Sequence, residues 1–154
     1  MKVREAAASE AEAIAALIHA EAERGVLLPR DADDVLEHLT SFVVAEEAGE
    51  LAGAAALHPF TPELAEVRSL VVAERYRGRG VGRLLVQGLE ARARRFGIRR
   101  IFALTYVPAF FERLGYRRIV KESLPHKVWT VCVHCPKFSC CDEVAVLKDL
   151  EETP

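Results

Sequence analysis

The chain has 154 residues, 51% of them hydrophobic and 29% charged, which fits one globular domain with a real core and excludes a disordered segment. A formal net charge of −2 speaks against a general nucleic-acid binder, which is usually basic. No apolar run approaches the roughly 20 residues that span a bilayer, and Met1-Lys2-Val3-Arg4-Glu5 lacks the apolar segment of a secretory signal. The expectation is a single domain over 1–154, in the cytoplasm, with no nucleic-acid or membrane partner.

Lys2 to Ala6 reads as a short strand. Ser9 and Glu12 have the spacing of a capping box, and Ile14, Leu17 and Ile18 then recur at helical spacing until Gly25. Val26 to Arg30 is a loop, in which Pro29 disfavours helix at Leu28. Asp31 caps a second short helix carrying Val35, Leu36 and Leu39. Phe42 to Ala45 and Leu51 to Leu57 are paired strands around a turn at Ala48-Gly49-Glu50. His58-Pro59-Phe60-Thr61-Pro62 is expected to leave the sheet because of its prolines. Ala65 to Val72 is the next strand, with Glu66, Arg68 and Leu70 on one face and Val67, Ser69 and Val71 on the other. From Gly80, the residues Val81, Leu84, Leu85, Gly88, Leu89, Ala93 and Phe96 mark a helix that Gly97 stops. Arg100 to Tyr106 is a strand, Pro108 to Leu114 a short helix ended by Gly115, Tyr116 onward extended, and Glu143 to Leu150 a last strand. A β-meander, a βαβ unit and a terminal pair make an α+β domain with a mixed sheet.

The most informative stretch is Arg75-Tyr76-Arg77-Gly78-Arg79-Gly80-Val81-Gly82-Arg83, between a strand and a helix. Three glycines at alternate positions let backbone N–H groups approach a ligand, and a helix N-terminus attracts anions. Four arginines there are misplaced relative to the helix dipole by roughly 0.3–1 kcal/mol each; a polyanionic ligand reverses that sign. The stretch therefore predicts a pyrophosphate cradle. It fails the Gly-x-Gly-x-x-Gly dinucleotide fingerprint from Gly78 and from Gly80, and no Gly-Lys-Ser/Thr follows.

What remains, Arg77-x-x-Gly80-x-Gly82 after an apolar strand, resembles the Arg/Gln-x-x-Gly-x-Gly/Ala signature of the GCN5-related N-acetyltransferases. The later Phe111-Glu112-Arg113-Leu114-Gly115-Tyr116 also sits where that family places it. The resemblance covers roughly Val3 to Leu150. It implies a mostly antiparallel central sheet with about four helices and a splayed pair of cofactor-binding strands, and acetyl-CoA as donor. Amides of Leu70, Val71 and Val72 would meet the pantetheine arm and the thioester oxygen. Amides from Arg77, Gly78, Arg79, Gly80, Val81 and Gly82 would hold the pyrophosphate, with Arg75 and Arg83 in reach of the remaining phosphate.

Further stretches resemble the N-acetylglutamate synthase branch, and more narrowly its short bacterial form. These are Leu27-Leu28-Pro29-Arg30, Ala65 to Leu70, Leu104 to Phe111, and Leu124-Pro125-His126-Lys127-Val128-Trp129. The implied reaction is acetylation of the α-amine of L-glutamate, the first step of arginine synthesis. Other amines, or a non-catalytic acetyl-CoA sensor, are the alternatives. Longer relatives carry an arginine-binding kinase-like domain for which this chain has no room, so arginine regulation by that route is not expected. Arg30 and Lys127 stand where the branch places its carboxylate-binding cations. Glu66 matches the family's glutamate base, the alternative being a strand glutamate paired with Arg68. The Tyr that many relatives use as an acid is Phe111 here. Ser69, Thr105 or Tyr106 could replace it, or the thiolate could leave unprotonated. Relatives often form dimers, so a homodimer is an open expectation.

All four cysteines lie between Cys132 and Cys141. Cys132-x-x-Cys135 followed by Cys141 has part of a zinc-knuckle spacing but no second C-x-x-C. Reduced thiols in a loop that shapes the acceptor pocket are the other reading.

Overall fold

The computed structural model describes residues 1–25, 27, 29–132 and 143–150. Among these residues it has seven strands and five α-helices. In chain order they are β1 (Lys2–Glu5), α1 (Ala11–Glu23), α2 (Ala32–Glu37), β2 (Phe42–Glu47), β3 (Glu50–Thr61), β4 (Leu64–Val72), α3 (Val81–Arg95), β5 (Arg100–Thr105), α4 (Pro108–Glu112), β6 (Arg117–Ile119), α5 (His126–Cys132) and β7 (Val144–Asp149). The sheet order is β1-β2-β3-β4-β5-β7-β6. Every pairing is antiparallel except β4 with β5. The expected α+β architecture with a mixed, mostly antiparallel sheet is therefore present.

Side-chain alternation gives the central strands β2 to β5 two buried faces. On one face Val43, Ala45, Leu57 and Val67 pack with Leu85 and Leu89 of α3, and with Phe111 of α4. On the other, Ile14, Ile18 and Val35 of α1 and α2 cover Phe42, Val44, Ala54 and Ala56. Farther along that same face, Phe60, Leu64 and Phe102 pack with Leu124 and Val128 of the α5 region. The helices on this face thus form two groups, with a stretch of β3 and β4 between them.

Three local features fix the frame. Ala48 and Gly49 both have positive φ and join β2 to β3 in a two-residue hairpin turn. Asp31 caps α2 by accepting the Asp34 N–H at 2.8 Å. Helix α3 ends as its sequence predicts: Gly97 has φ +78°, its N–H bonds the Arg94 carbonyl, and the Ile98 N–H bonds the Ala93 carbonyl.

Other expectations are corrected. The first helix is entered at Ala7, whose N–H donates to the Glu10 carboxylate, so Ser9 and Glu12 do not form the capping box. Leu39 lies in a 3-10 turn after α2. Residues 58–61 stay in β3. Pairing with β2 stops at Ala56, so Pro59 sits where β3 has a strand on one side only, and its missing N–H can face the free edge. Phe96 ends the apolar series of α3 yet is 60% exposed. The chain after Tyr116 is not simply extended: Ser-Leu-Pro precedes α5, and its Val128 is buried.

The strand β4 breaks its own alternation. Ser69 has φ +53°, and the β3 register steps from Ala56↔Arg68 to Ala54↔Val71. One extra residue on β4 forms a bulge. Beyond it the faces exchange. Leu70 and Val72 pack on the α3 side with Val67, while Val71 packs on the α1 side. The expected sharing of a face by Arg68 and Leu70, and by Val67 and Val71, is thus overturned by the bulge.

Candidate active site

β4 and β5 pair only at Leu64↔Arg100, Ala65↔Ile101 and Glu66↔Phe102. Past these residues β4 continues to Val72 beside β3, and β5 continues to Thr105 beside β7. The two strands therefore part after Glu66, and the edge of β4 at Leu70, Val71 and Val72 faces a cleft with no strand beside it. Backbone groups there need partners, and an extended ligand with its own amides can supply them.

The floor of the cleft leads into the glycine-rich turn. Gly78 and Gly80 both have φ +78°, and nothing lies within 4 Å of a Cβ built at either. Gly80 is the N-cap of the 15-residue α3 without a side-chain cap. The N–H groups of Val81, Gly82 and Arg83 precede the first intrahelical bond, which runs from Leu84 to Gly80. A Cβ at Gly82 would lie 3.1 Å from the Phe110 ring, so α4 closes over this turn. Open space, unpaired donors and the helix dipole fit a pyrophosphate. The arginines here are already matched by acids. Arg75 bonds Glu50 at 2.8 Å, Arg77 bonds Glu21, and Arg79 lies 3.4 Å from Glu47. Arg83 is exposed on the first turn of α3. The cradle thus rests on amides more than on surplus positive charge.

Glu66 is the last β4 residue paired with β5 and is only 8% exposed. It accepts the Arg68 Nε–H at 2.6 Å. Burial raises its pKa above the ordinary carboxylate range, and Arg68 opposes that shift by charge and hydrogen bonding. The guanidinium of Arg68 lies 5.2 Å from the centre of the Phe60 ring. Directly opposite Glu66 on β3 stands His58, whose ring meets Phe60 edge-on at 4.7 Å. Burial, reinforced by Arg68, His38 and Arg30, holds the His58 pKa down to about 4, so its imidazole is neutral at pH 7.

The cationic residues named from the sequence flank this group. Arg30, just before α2, donates to Asp34 at 2.8 Å and to the Ser69 hydroxyl at 3.2 Å, and it lies over Phe42. Lys127 of α5 donates to the Phe60 carbonyl at 3.2 Å. The structure therefore makes two separate contacts on β4, Arg30 with Ser69 and Arg68 with Glu66, and brings Lys127 to the Phe60 carbonyl from the opposite helix group. Tyr106 is half-buried just past the end of β5, on the far side of the cleft. Phe111 is buried against Phe110 and Tyr116. Of the cysteines, Cys132 is the last residue of α5. Cys135 and Cys141 lie outside the described residues, and with them the zinc reading.

The expectation that 58–62 leave the sheet keeps His58 out of the site residues named from the sequence. The period-two series Ala54, Ala56, His58, Phe60 would have put His58 on the Glu66 face of the sheet.

The model of the Acetyltransferase (GNAT) family matches residues 9–116. An uncharacterized N-acetyltransferase from Chlorobaculum tepidum is 41% identical over 148 residues, covering 96% of both chains. An amino-acid acetyltransferase from Neisseria meningitidis serogroup A is 32% identical over 81% of this chain, which spans only 29% of that relative's length. Among solved structures, N-acetylglutamate synthase from Neisseria gonorrhoeae, complexed with coenzyme A and N-acetyl-glutamate, superimposes with a TM-score of 0.89. It is 27% identical, over 98% of this chain and 35% of that one. The Mycobacterium tuberculosis protein Rv2747, in complex with CoA and NLQ, gives a TM-score of 0.87 at 26% identity, covering 98% and 100%.

A parted β4–β5 pair feeding a glycine-capped helix defines an acyl-CoA-dependent transferase. The chain belongs to the acetyltransferase (GNAT) family, is an N-acetyltransferase, and takes acetyl-CoA as its donor. No helix among the described residues is long and apolar enough to cross a membrane.

Proposed function

We propose that this N-acetyltransferase acetylates the α-amine of L-glutamate, the entry step of arginine synthesis. The observation that carries the proposal is the placement of Glu66: a buried carboxylate at the point where β4 and β5 part, between a wall bearing Arg30 and a wall bearing Lys127. The names of the amino-acid acetyltransferase relatives and of the N-acetylglutamate synthase neighbour support it.

In this reading the β4 edge at Leu70 to Val72 and the amides from Arg77 to Gly82 hold acetyl-CoA, with Arg83 and the neighbouring arginines on its phosphates. The donor supplies a thioester whose carbonyl carbon is open to attack. Glu66 removes one proton from the acceptor ammonium, directly or through a water, because only the neutral amine is nucleophilic. The new C–N bond forms, the C–S bond breaks, and the departing sulfur takes up a proton. Ser69 and Tyr106 are the candidate hydroxyls for that last step. Arg30 and Lys127 hold the acceptor's carboxylates, Arg30 through its planar fork.

The test is release of free coenzyme A across a panel of amines: glutamate, glutamine, aspartate, a diamine and a short peptide. Glutamate is expected to give the highest kcat/KM. Turnover of the diamine or the peptide with none for glutamate refutes the proposal.

A further inference from the structure

The pair formed by Glu66 and Arg68 has a shape that neither residue has alone. Both side chains leave the same face of β4, two residues apart, ahead of the bulge at Ser69. One Glu66 oxygen and the Arg68 Nε–H meet at 2.6 Å. Phe60 supports the guanidinium from one side. Opposite Arg68 on β3 stands Ala56, which is buried in the cluster under α1 and α2. Among the described residues, Arg68 makes no hydrogen bond from either Nη, and its side chain keeps 26% of its exposure. A negative and a positive group thus lie side by side on one wall of the cleft, with unused donors on the positive one.

A free α-amino acid carries an ammonium and a carboxylate on a single carbon. We propose that the Glu66–Arg68 pair is the docking site for that zwitterion, with Glu66 taking the α-ammonium and the Nη groups of Arg68 taking the α-carboxylate. Arg68 is then a specificity-determining residue that selects free α-amino acids over polyamines and peptide N-termini, neither of which presents a carboxylate beside its amine. This moves the α-carboxylate from the Arg30 and Lys127 pair of the proposed function to Arg68, and leaves those two for the acceptor's side-chain carboxylate. The inference rests on the proposed acetylation of an amino-acid α-amine, but not on glutamate in particular.

The site also couples binding to chemistry. Arg68 holds the Glu66 pKa down against the effect of burial. A carboxylate that takes the guanidinium weakens this restraint and makes Glu66 the better base when the amine is in place. The other ionisable groups of this region are neutral His58 on β3, Arg30 with Asp34, His38 after α2, and Lys127 of α5, which donates to the Phe60 carbonyl. None of these donates to Glu66.

The test compares glutamate with its α-amide, which keeps the amine and the side-chain carboxylate. Wild type is expected to favour glutamate by about 10–100-fold in kcat/KM, the usual range for loss of a charged hydrogen-bond partner. Arg68→Met should reduce that preference to within about threefold, and Arg68→Lys should keep part of it. The acid limb of kcat/KM should also move to higher pH in Arg68→Met. Unchanged coenzyme A binding in calorimetry shows that the variants are folded. An Arg68→Met variant that loses the same factor on both acceptors overturns the inference and leaves Arg68 as a counter-ion only. If wild type uses glutamine or aspartate and not glutamate, the glutamate reading falls alone, and the same comparison on that acid and its α-amide still decides Arg68. Acetylation of peptides with no turnover of free amino acids overturns both.

Discussion

Replacing Glu66 by Gln tests the chemistry with little disturbance of the fold. Gln has the same size, and its amide oxygen can still accept the Arg68 Nε–H now held at 2.6 Å. Arg68 is partly exposed and flanked by the Phe60 ring, so losing its charged partner does not strand a cation in the core. What disappears is the base. General-base catalysis contributes about 10²–10⁴-fold, or roughly 2.7–5.4 kcal/mol of barrier, so kcat should fall by that factor while the KM for acetyl-CoA stays near wild type. The pH profile supplies the sign. Glu66 acts only when ionised, so the rate of wild type falls as pH drops through its pKa, which burial places above the ordinary carboxylate range. The Gln variant should lose this acid limb. Stopped-time assays of coenzyme A release from pH 5 to 9, with both substrates varied, measure each quantity. A variant that keeps wild-type kcat, or keeps the same acid limb, would falsify the assignment of Glu66 as base.

Three other outcomes are expected. Arg30→Met removes the guanidinium held by Asp34 and Ser69 and should raise the KM for glutamate by about tenfold or more without changing the KM for acetyl-CoA; equal changes in both would mean a folding defect. Tyr116→Phe removes the buried 2.8 Å bond to Glu90, leaving that carboxylate to Lys148, and should cost about 1–3 kcal/mol, read as a lower denaturant midpoint. His58→Gln should flatten the pH dependence of stability between 4 and 6.5. A histidine held down to about 4 when folded stabilises the fold above its unfolded pKa of about 6.5 and loses that contribution as pH falls toward 4. Identical pH–stability slopes in wild type and variant would show that His58 is not held neutral.

The parts of the fold that were legible are those where local chemistry and tertiary packing agree. The period of Val81, Leu85 and Leu89 demands a helix, and the same residues are buried in the core. Gly97 supplies a left-handed C′ residue that ends this helix in the predicted place. Gly78 and Gly80 were readable for the same reason, since each needs φ near +78°. Misreadings arose where a neighbouring strand decides the outcome. Pro59 is tolerated because β2 has already ended, which no local pattern states. The face exchange beyond Ser69 follows from one residue in a left-handed conformation that any serine-containing strand could have lacked. In the site, Arg30, Glu66 and Lys127 were named from resemblance and spacing. Neither the direct contact of Arg30 with Ser69 nor the ion pair's place beside His58 could be read without the register of β3 on β4.

That register also explains why one short strand can serve two substrates. As far as Glu66, β4 is paired on both sides, and burial there raises the Glu66 pKa. Beyond Glu66 the strand has lost β5, and at Ser69 the bulge bends and twists it more strongly, so among the described residues its far end pairs with β3 alone. A carboxylate needs the closed segment to become an effective base at neutral pH. A pantetheine arm needs the open segment to find hydrogen-bond partners. In the proposed reaction the bulge lies three residues, about 10 Å at the usual strand rise, beyond the base, between the closed and the open segment. If the proposed reaction holds, moving the bulge at Ser69 along β4 changes the spacing between the base and the donor's strand edge, and with it the rate.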